Sequence, residues 1–266
     1  MRKNILKEKL EKREPINGTH ISLPVPSHGE MLGLAGFDWV WIDTEHAPID
    51  HKTLLECING VAMTGTSAVV RVPVNDYNAT KKVIEMGPDG IIFPMINNKK
   101  LAEEAIQSTL YPPYGTRGFG PMRAVRYGCD DVNEYIREGV FNMARLVQIE
   151  TEEAVRNLDE ILEVPYIDGF IIGPCDLSAS VGELGKSEQP KTNALIDIVG
   201  EKLSARGKSF GVSIGNATEE FIRRYVGIGA NIISTGTDYD YLVKGAIAMR
   251  THLQTVRDKI NKEQQS

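Results

Sequence analysis

What most constrains this chain is an alternation of short apolar runs with helical patterns, repeated eight times. Runs of strand length lie at residues 19–23, 39–43, 68–71, 90–94, 146–150, 169–173, 209–213 and 231–235. Each is followed by apolar residues at helical spacing, over 28–35, 51–63, 75–86, 99–110, 152–162, 177–181 with 193–205, 217–226 and 238–257. Glycines at 36, 65, 90, 169, 207 and 229 mark strand starts. Eight βα repeats in 266 residues predict an α/β fold of the (β/α)₈ TIM-barrel type, a single domain over 1–266. A doubly wound open sheet is the alternative. It would carry a glycine-rich phosphate fingerprint after its first strand, and the stretch from Pro24 to Gly29 is not one.

Two segments stand outside the rhythm. Ile5, Leu6 and Leu10 suggest a short amphipathic helix at the N-terminus. A loop insertion at about 111–130, rich in Pro, Gly and Arg, precedes the fifth strand, with a helical piece at 132–138 after it. Its Arg117, Arg123 and Arg126 would suit an anionic ligand or acidic neighbour; plain packing or a subunit contact would use them equally well.

In a barrel the chemistry sits at the C-terminal ends of the strands. The fifth strand ends in Gln148-Ile149-Glu150, and alternation puts Gln148 and Glu150 on one face. The sixth opens through Gly173-Pro174-Cys175 into Asp176. A crossover helix between these strands makes them parallel neighbours, about 4.8 Å apart. Glu150 and Asp176 therefore share one edge. Singly, each acid could cap a helix, with Thr151 or Ser178 completing the cap. Together they repel unless a cation lies between them. An oxygen-only ligand set suits Mg²⁺ or Mn²⁺, with Co²⁺ as a further option.

Three more residues reach the same edge. His46 follows Asp43 by three positions. It is either a structural hydrogen-bonder or a general base whose tautomer the Asp43 carboxylate fixes. Arg71 closes the run from Ala68 and needs an anion, either Glu45 or a substrate oxygen. Asp50 reads as a helix N-cap. No lysine stands at a strand's C-terminal end, Lys208 being at the other face, so a Schiff-base mechanism is not expected. The turns at Gly215 and Gly236 carry no lysine or arginine, which argues against a phosphorylated substrate.

Composition closes off other classes. The net charge is −6 with no basic block, so nucleic acid is not an expected partner. No apolar run approaches the ~20 residues a membrane span needs. Cys57, Cys129 and Cys175 form no CxxC pair, which fits the cytoplasm and neither a zinc site nor a disulfide framework.

The strings FDWVWIDTEHAPID, VRVPVND, GIIFPMINN, YPPYGTRGFGP, VQIETEEAVRNLDEI and DGFIIGPCDLSASVG occur in this order along nearly the whole chain. In them the chain resembles the HpcH/HpaI aldolase family of the phosphoenolpyruvate/pyruvate barrel superfamily. The resemblance implies a class II aldolase that cleaves a 4-hydroxy-2-oxo acid to pyruvate and an aldehyde through a metal-stabilised pyruvate enolate. It implies Glu150 and Asp176 as metal ligands, with Gln148 beside them. His46 would be the base, supported by Asp43, and Arg71 the enolate stabiliser. The backbone amides of Cys175 and Asp176 would face the pyruvate carboxylate. It also implies a homo-oligomer, trimer or hexamer, that swaps its C-terminal helix, although the apolar positions Leu242, Ala246, Met249 and Leu253 would equally suit packing on the chain's own barrel. Cys175 stands where relatives commonly carry alanine, and the first and last strands are less typical. The resemblance implies that those regions would help shape the aldehyde pocket. Two rivals remain: a decarboxylase of an oxaloacetate-type 2-oxo diacid using the same metal site, and a non-catalytic barrel scaffold.

Overall fold

The computed structural model describes residues 3–184, 189–215 and 218–265. Its elements run α1 (Ile5–Lys12), β1 (Ile16–Ile21), α2 (Pro26–Leu34), β2 (Trp39–Asp43), α3 (His51–Met63), β3 (Ser67–Arg71), α4 (Tyr77–Glu85), β4 (Gly90–Phe93) and α5 (Lys99–Thr109). After short turns come α6 (Val132–Glu134), α7 (Val140–Asn142) and β5 (Ala144–Ile149). The chain continues through α8 (Glu152–Arg156), α9 (Leu158–Ile161), β6 (Gly169–Ile172), α10 (Pro174–Ser180), α11 (Pro190–Ala205), β7 (Ser209–Ile214), α12 (Glu219–Gly227), β8 (Ile232–Thr237) and α13 (Asp238–Gln264). The strands close in sequence order, and every pair is parallel, β1 meeting β8. This is the (β/α)₈ barrel. The expected start of the seventh helix at Ala217 lies outside the described residues.

Strand alternation divides the core in two. Inward residues Trp39, Trp41, Val69, Ile92, Leu146, Ile171 and Ile232 fill the barrel, joined by Leu6 and Leu10 of α1. Outward residues such as Val40, Ile42, Val147, Ile172 and Val212 meet the helices. The amphipathic α1 is thus a plug at the N-terminal end. It is fastened by the Asn4 side chain on the carbonyls of Asp89 and Asn142, and by the Ser209 hydroxyl on the carbonyl of Leu10.

The first strand begins at Ile16 rather than at residue 19 and ends at Ile21 rather than 23. Gly18 lies under the Trp39 indole, where any side chain would overlap the ring. Ser22 and Leu23 donate their backbone N–H groups to the Asp238 carboxylate instead of to a ladder.

The insertion lies at the N-terminal face, between α5 and β5. Arg117 is buried, bonds Glu85 and the Tyr135 hydroxyl, and stacks on Tyr111. Arg123 donates to the carbonyls of Met86 and Gly87, and Arg126 pairs with Asp130. Acidic neighbours, Glu85 and Asp130, thus account for Arg117 and Arg126, and backbone carbonyls hold Arg123.

α13 does not return to its own barrel. Residues 241–264 are exposed along its whole length, including Leu242, Met249 and Leu253. No helix among the described residues is long and apolar enough to cross a membrane.

Candidate active site

Register brings the site together. Asp43 and Arg71 are directly paired across β2 and β3. Ile149 pairs with Ile172, which sets Glu150 level with Gly173 at the shared end of β5 and β6. Gly173 is required there, because a Cβ would come within 2.9 Å of Glu150.

Neither expected metal ligand is a helix cap. The cap of α8 is Thr151, whose hydroxyl accepts from the Ala154 N–H. Glu150 instead accepts from the Met95 backbone N–H at 2.6 Å and from the Gln148 amide at 2.7 Å. Met95 holds a left-handed φ of 56°, an uncommon conformation for a residue with a side chain. Asp176 lies in the first turn of α10, whose N-cap Gly173 makes no side-chain cap bond. Its exposed carboxylate has no hydrogen-bond partner among the described residues. Asp50 does cap α3, through the Thr53 N–H.

Burial pushes the Glu150 carboxyl up to about 7, helped by the charges of Asp176 and Glu45 and opposed by the Met95 N–H. Burial also raises Glu45, again with Asp43 and Asp176 adding to it. Asp43, Glu45 and Glu150 thus share one guanidinium, and Asp176 adds its charge beside Glu45 and Glu150. Arg71 is spent on the first two. Nε and Nη2 grip Asp43 at 3.0 and 2.7 Å, and Nη1 meets Glu45 at 2.8 Å and Gln148 at 3.4 Å. Glu45 is therefore the internal partner the sequence suggested, with Asp43 added. One Nη2 hydrogen remains uncommitted. The guanidinium also lies 5.1 Å over the Trp41 ring.

The excess of negative charge at Glu150 and Asp176 fits a divalent cation. Among the described residues no group of three His, Cys, Asp or Glu side chains could hold a metal by itself. A site of two carboxylates leaves positions open for water and substrate, as Mg²⁺ commonly requires.

The pairing of Asp43 with His46 takes a different form from the one expected. Asp43 does not hold the imidazole. Its Oδ1 accepts the backbone N–H groups of Glu45 and His46, shaping the turn. Burial opposes ionisation of Asp43, but its bond to Arg71, the Arg71 charge and the two backbone donors keep its pKa below the usual value. The His46 side chain is 67 % exposed, with Nε2 3.8 Å from Glu45. The Cys175 thiol is exposed, and burial and then Asp176 push its pKa up, so it stays protonated near neutrality. The contributions of Trp41 and the Met95 amide go beyond what strand-end reading finds.

Many known proteins resemble this chain in sequence and fold. The family profile described as HpcH/HpaI aldolase/citrate lyase matches residues 19–244. A protein named 4-hydroxy-2-oxo-heptane-1,7-dioate aldolase from Klebsiella pneumoniae is 36% identical over 262 residues, covering 97% of this chain and 98% of that one. A crystal structure of an HpcH/HpaI aldolase/citrate lyase family protein from Burkholderia cenocepacia superposes with a TM-score of 0.87 at 31% identity, over 96% of this chain and 99% of that chain. An HpcH/HpaI aldolase from Desulfitobacterium hafniense gives 0.84 at 25% identity, over 95% and 96%.

Proposed function

The chain belongs to the HpcH/HpaI aldolase/citrate lyase family, and on that premise we propose that it is a metal-dependent carbon–carbon lyase, a class II aldolase that cleaves a 4-hydroxy-2-oxo acid to pyruvate and an aldehyde. The observation that carries this reading is the surplus of carboxylates at the C-terminal edge of the barrel, with Arg71 already matched by Asp43 and Glu45.

Glu150 and Asp176 would hold the divalent ion, Mg²⁺ or Mn²⁺, which supplies Lewis-acid polarisation of the substrate's 2-oxo group. Gln148 fixes Glu150 through its amide and steadies Arg71 through its oxygen. The uncommitted Nη2 hydrogen of Arg71 meets the enolate oxygen as charge develops there. His46, unencumbered at the mouth, takes the proton of the 4-hydroxyl. The C3–C4 bond then breaks, its electrons pass into the enolate, and C3 is protonated to give pyruvate. The first-turn N–H groups of α10, at Cys175 and Asp176, face the substrate carboxylate.

The protein works as a homo-oligomer, a trimer or hexamer, in which α13 packs on a second copy. The exposed apolar residues of α13 support this. Its three free cysteines support a place in the cytoplasm.

A lactate-dehydrogenase-coupled assay of pyruvate release over a panel of 4-hydroxy-2-oxo acids, with and without EDTA, tests the function. The expected result is release from at least one of them, lost on chelation. No chelator-sensitive release from any substrate, with oxaloacetate turned over faster than its spontaneous loss, would replace the aldolase by a decarboxylase.

A further inference from the structure

The wall formed by β7, β8 and β1 has no part in the chemistry above, yet it is polar. His20 projects into it, almost fully buried. Its Nδ1 is 2.8 Å from the carbonyl oxygen of Gly236. A carbonyl only accepts, so Nδ1 carries the proton. Burial lowers the imidazole pKa to about 4, and the ring is neutral near pH 7. Nε2 is then an acceptor with one lone pair. Two hydroxyls reach it, Ser213 at 3.0 Å and Ser234 at 3.2 Å. Only one can donate well. Ser234 is fully buried and makes no other hydrogen bond among the described residues, so an unused proton there would be costly. Ser234 therefore serves the imidazole. Ser213, only half-buried, keeps its O–H for the barrel mouth.

Register places that hydroxyl in the site. Val212 pairs with Ile172, so Ser213 is level with Gly173, which is level with Glu150. Ser213 stands two strand spacings from Glu150, about 10 Å. Gly173, between them, leaves the gap free of a side chain. A substrate whose 2-oxo acid end is at Glu150 would extend its aldehyde portion along this gap.

The same wall lacks positive charge. No lysine or arginine occupies the ends of β7, β8 or β1 or the turns that follow them. Arg71, whose charge reaches His20, is matched by Asp43 and Glu45. A carboxylate at the far end of the substrate, as the name of the Klebsiella relative implies for its own, would find no counter-charge here. A neutral hydroxyl would find both a donor and an acceptor in Ser213. The geometry points to Ser213, oriented by His20 and Ser234, as a specificity-determining residue that selects aldehydes bearing an uncharged hydroxyl over apolar or carboxylate-bearing ones. This rests on the aldolase reading.

The test is aldol addition to pyruvate by the Mg²⁺-loaded enzyme with glycolaldehyde, propanal and succinate semialdehyde. In the wild type, kcat/KM for glycolaldehyde should exceed that for propanal by about tenfold, with succinate semialdehyde also disfavoured. Ser213→Thr should retain the ratio and Ser213→Val, of the same shape without the hydroxyl, should lose it. A ratio unchanged in Ser213→Val overturns the proposal. So does a wild type that prefers propanal or succinate semialdehyde, a ranking that decides the matter even if neither variant folds. Exchange of the pyruvate methyl protons in D₂O needs the enolate but no aldehyde. Its absence in the wild type would fail the aldolase reading, whereas exchange without a hydroxyl preference would fail this proposal alone.

Discussion

Asp43 shows what residue spacing conveys and what it conceals. Its place three residues before His46 correctly tied the two together. Their contact runs through the His46 backbone, because Arg71, directly opposite on β3, takes both oxygens of the carboxylate. Cross-strand pairing is a property of the closed barrel and leaves no mark on local sequence. The same holds for the Met95 N–H on Glu150, since nothing in the residue type predicts a left-handed backbone there. His46 should act on substrate without touching the metal. His46→Ala is expected to keep full Mn²⁺ affinity while aldol cleavage falls by about 10²–10⁴, measured by titration and by pyruvate release. His20 gives a second prediction. Its folded pKa, about 4, lies below its ordinary 6.5, so between these values the unfolded chain holds more protons. Its contribution to stability is complete above pH 6.5 and is lost as pH falls towards 4. His20→Gln should therefore show a shallower acid limb in a plot of melting temperature against pH.

Elements were legible where a repeat imposed them. The eight strands and the helix at 51–63 follow from apolar periodicity, and β2, β3 and β4 lie where the pattern puts them to within a residue or two. The first strand was harder. Its Asn17, Thr19 and His20 are polar, and what makes INGTHI a strand is pairing with β2 and β8, with Gly18 passing under Trp39. The helix after β5 was read as one and breaks at Asn157 into α8 and α9. α13 was legible as amphipathic, but only the structure shows that the chain's own barrel leaves its apolar positions uncovered. At 27 residues it is about 40 Å long, and its exposed Ile247 and Leu253 would each lose about 2 kcal/mol of burial if left in water. If α13 carries the proposed assembly, wild type should give an oligomer's mass in light scattering and replacing both with lysine should give a monomer's. An unchanged mass would remove α13 from the assembly.

At the scale of the whole molecule the barrel is a scaffold with unequal ends. The N-terminal end is closed by α1 and braced by the arginines of the insertion. The C-terminal end collects acids from β2, β5 and β6; Arg71 matches Asp43 and Glu45, while Glu150 and Asp176 form no ion pair among the described residues. That imbalance could be anticipated from Glu150 and Asp176, and Glu45 was anticipated as a partner of Arg71; the capture of Asp43 by the same guanidinium could not be, because it depends on cross-strand register. The central claim is that Glu150 and Asp176 hold a divalent ion. Calorimetric titration of Mn²⁺ into chelator-stripped wild type and Glu150→Gln tests it most directly. Removing a residue that merely orients a metal ligand costs about 10–100-fold in affinity, and removing a ligand should cost at least the upper end of that range. The predicted result is one site per chain in the wild type, weakened about 100-fold or more in Glu150→Gln. Equal affinity in the two proteins, or no binding to the wild type, would contradict it.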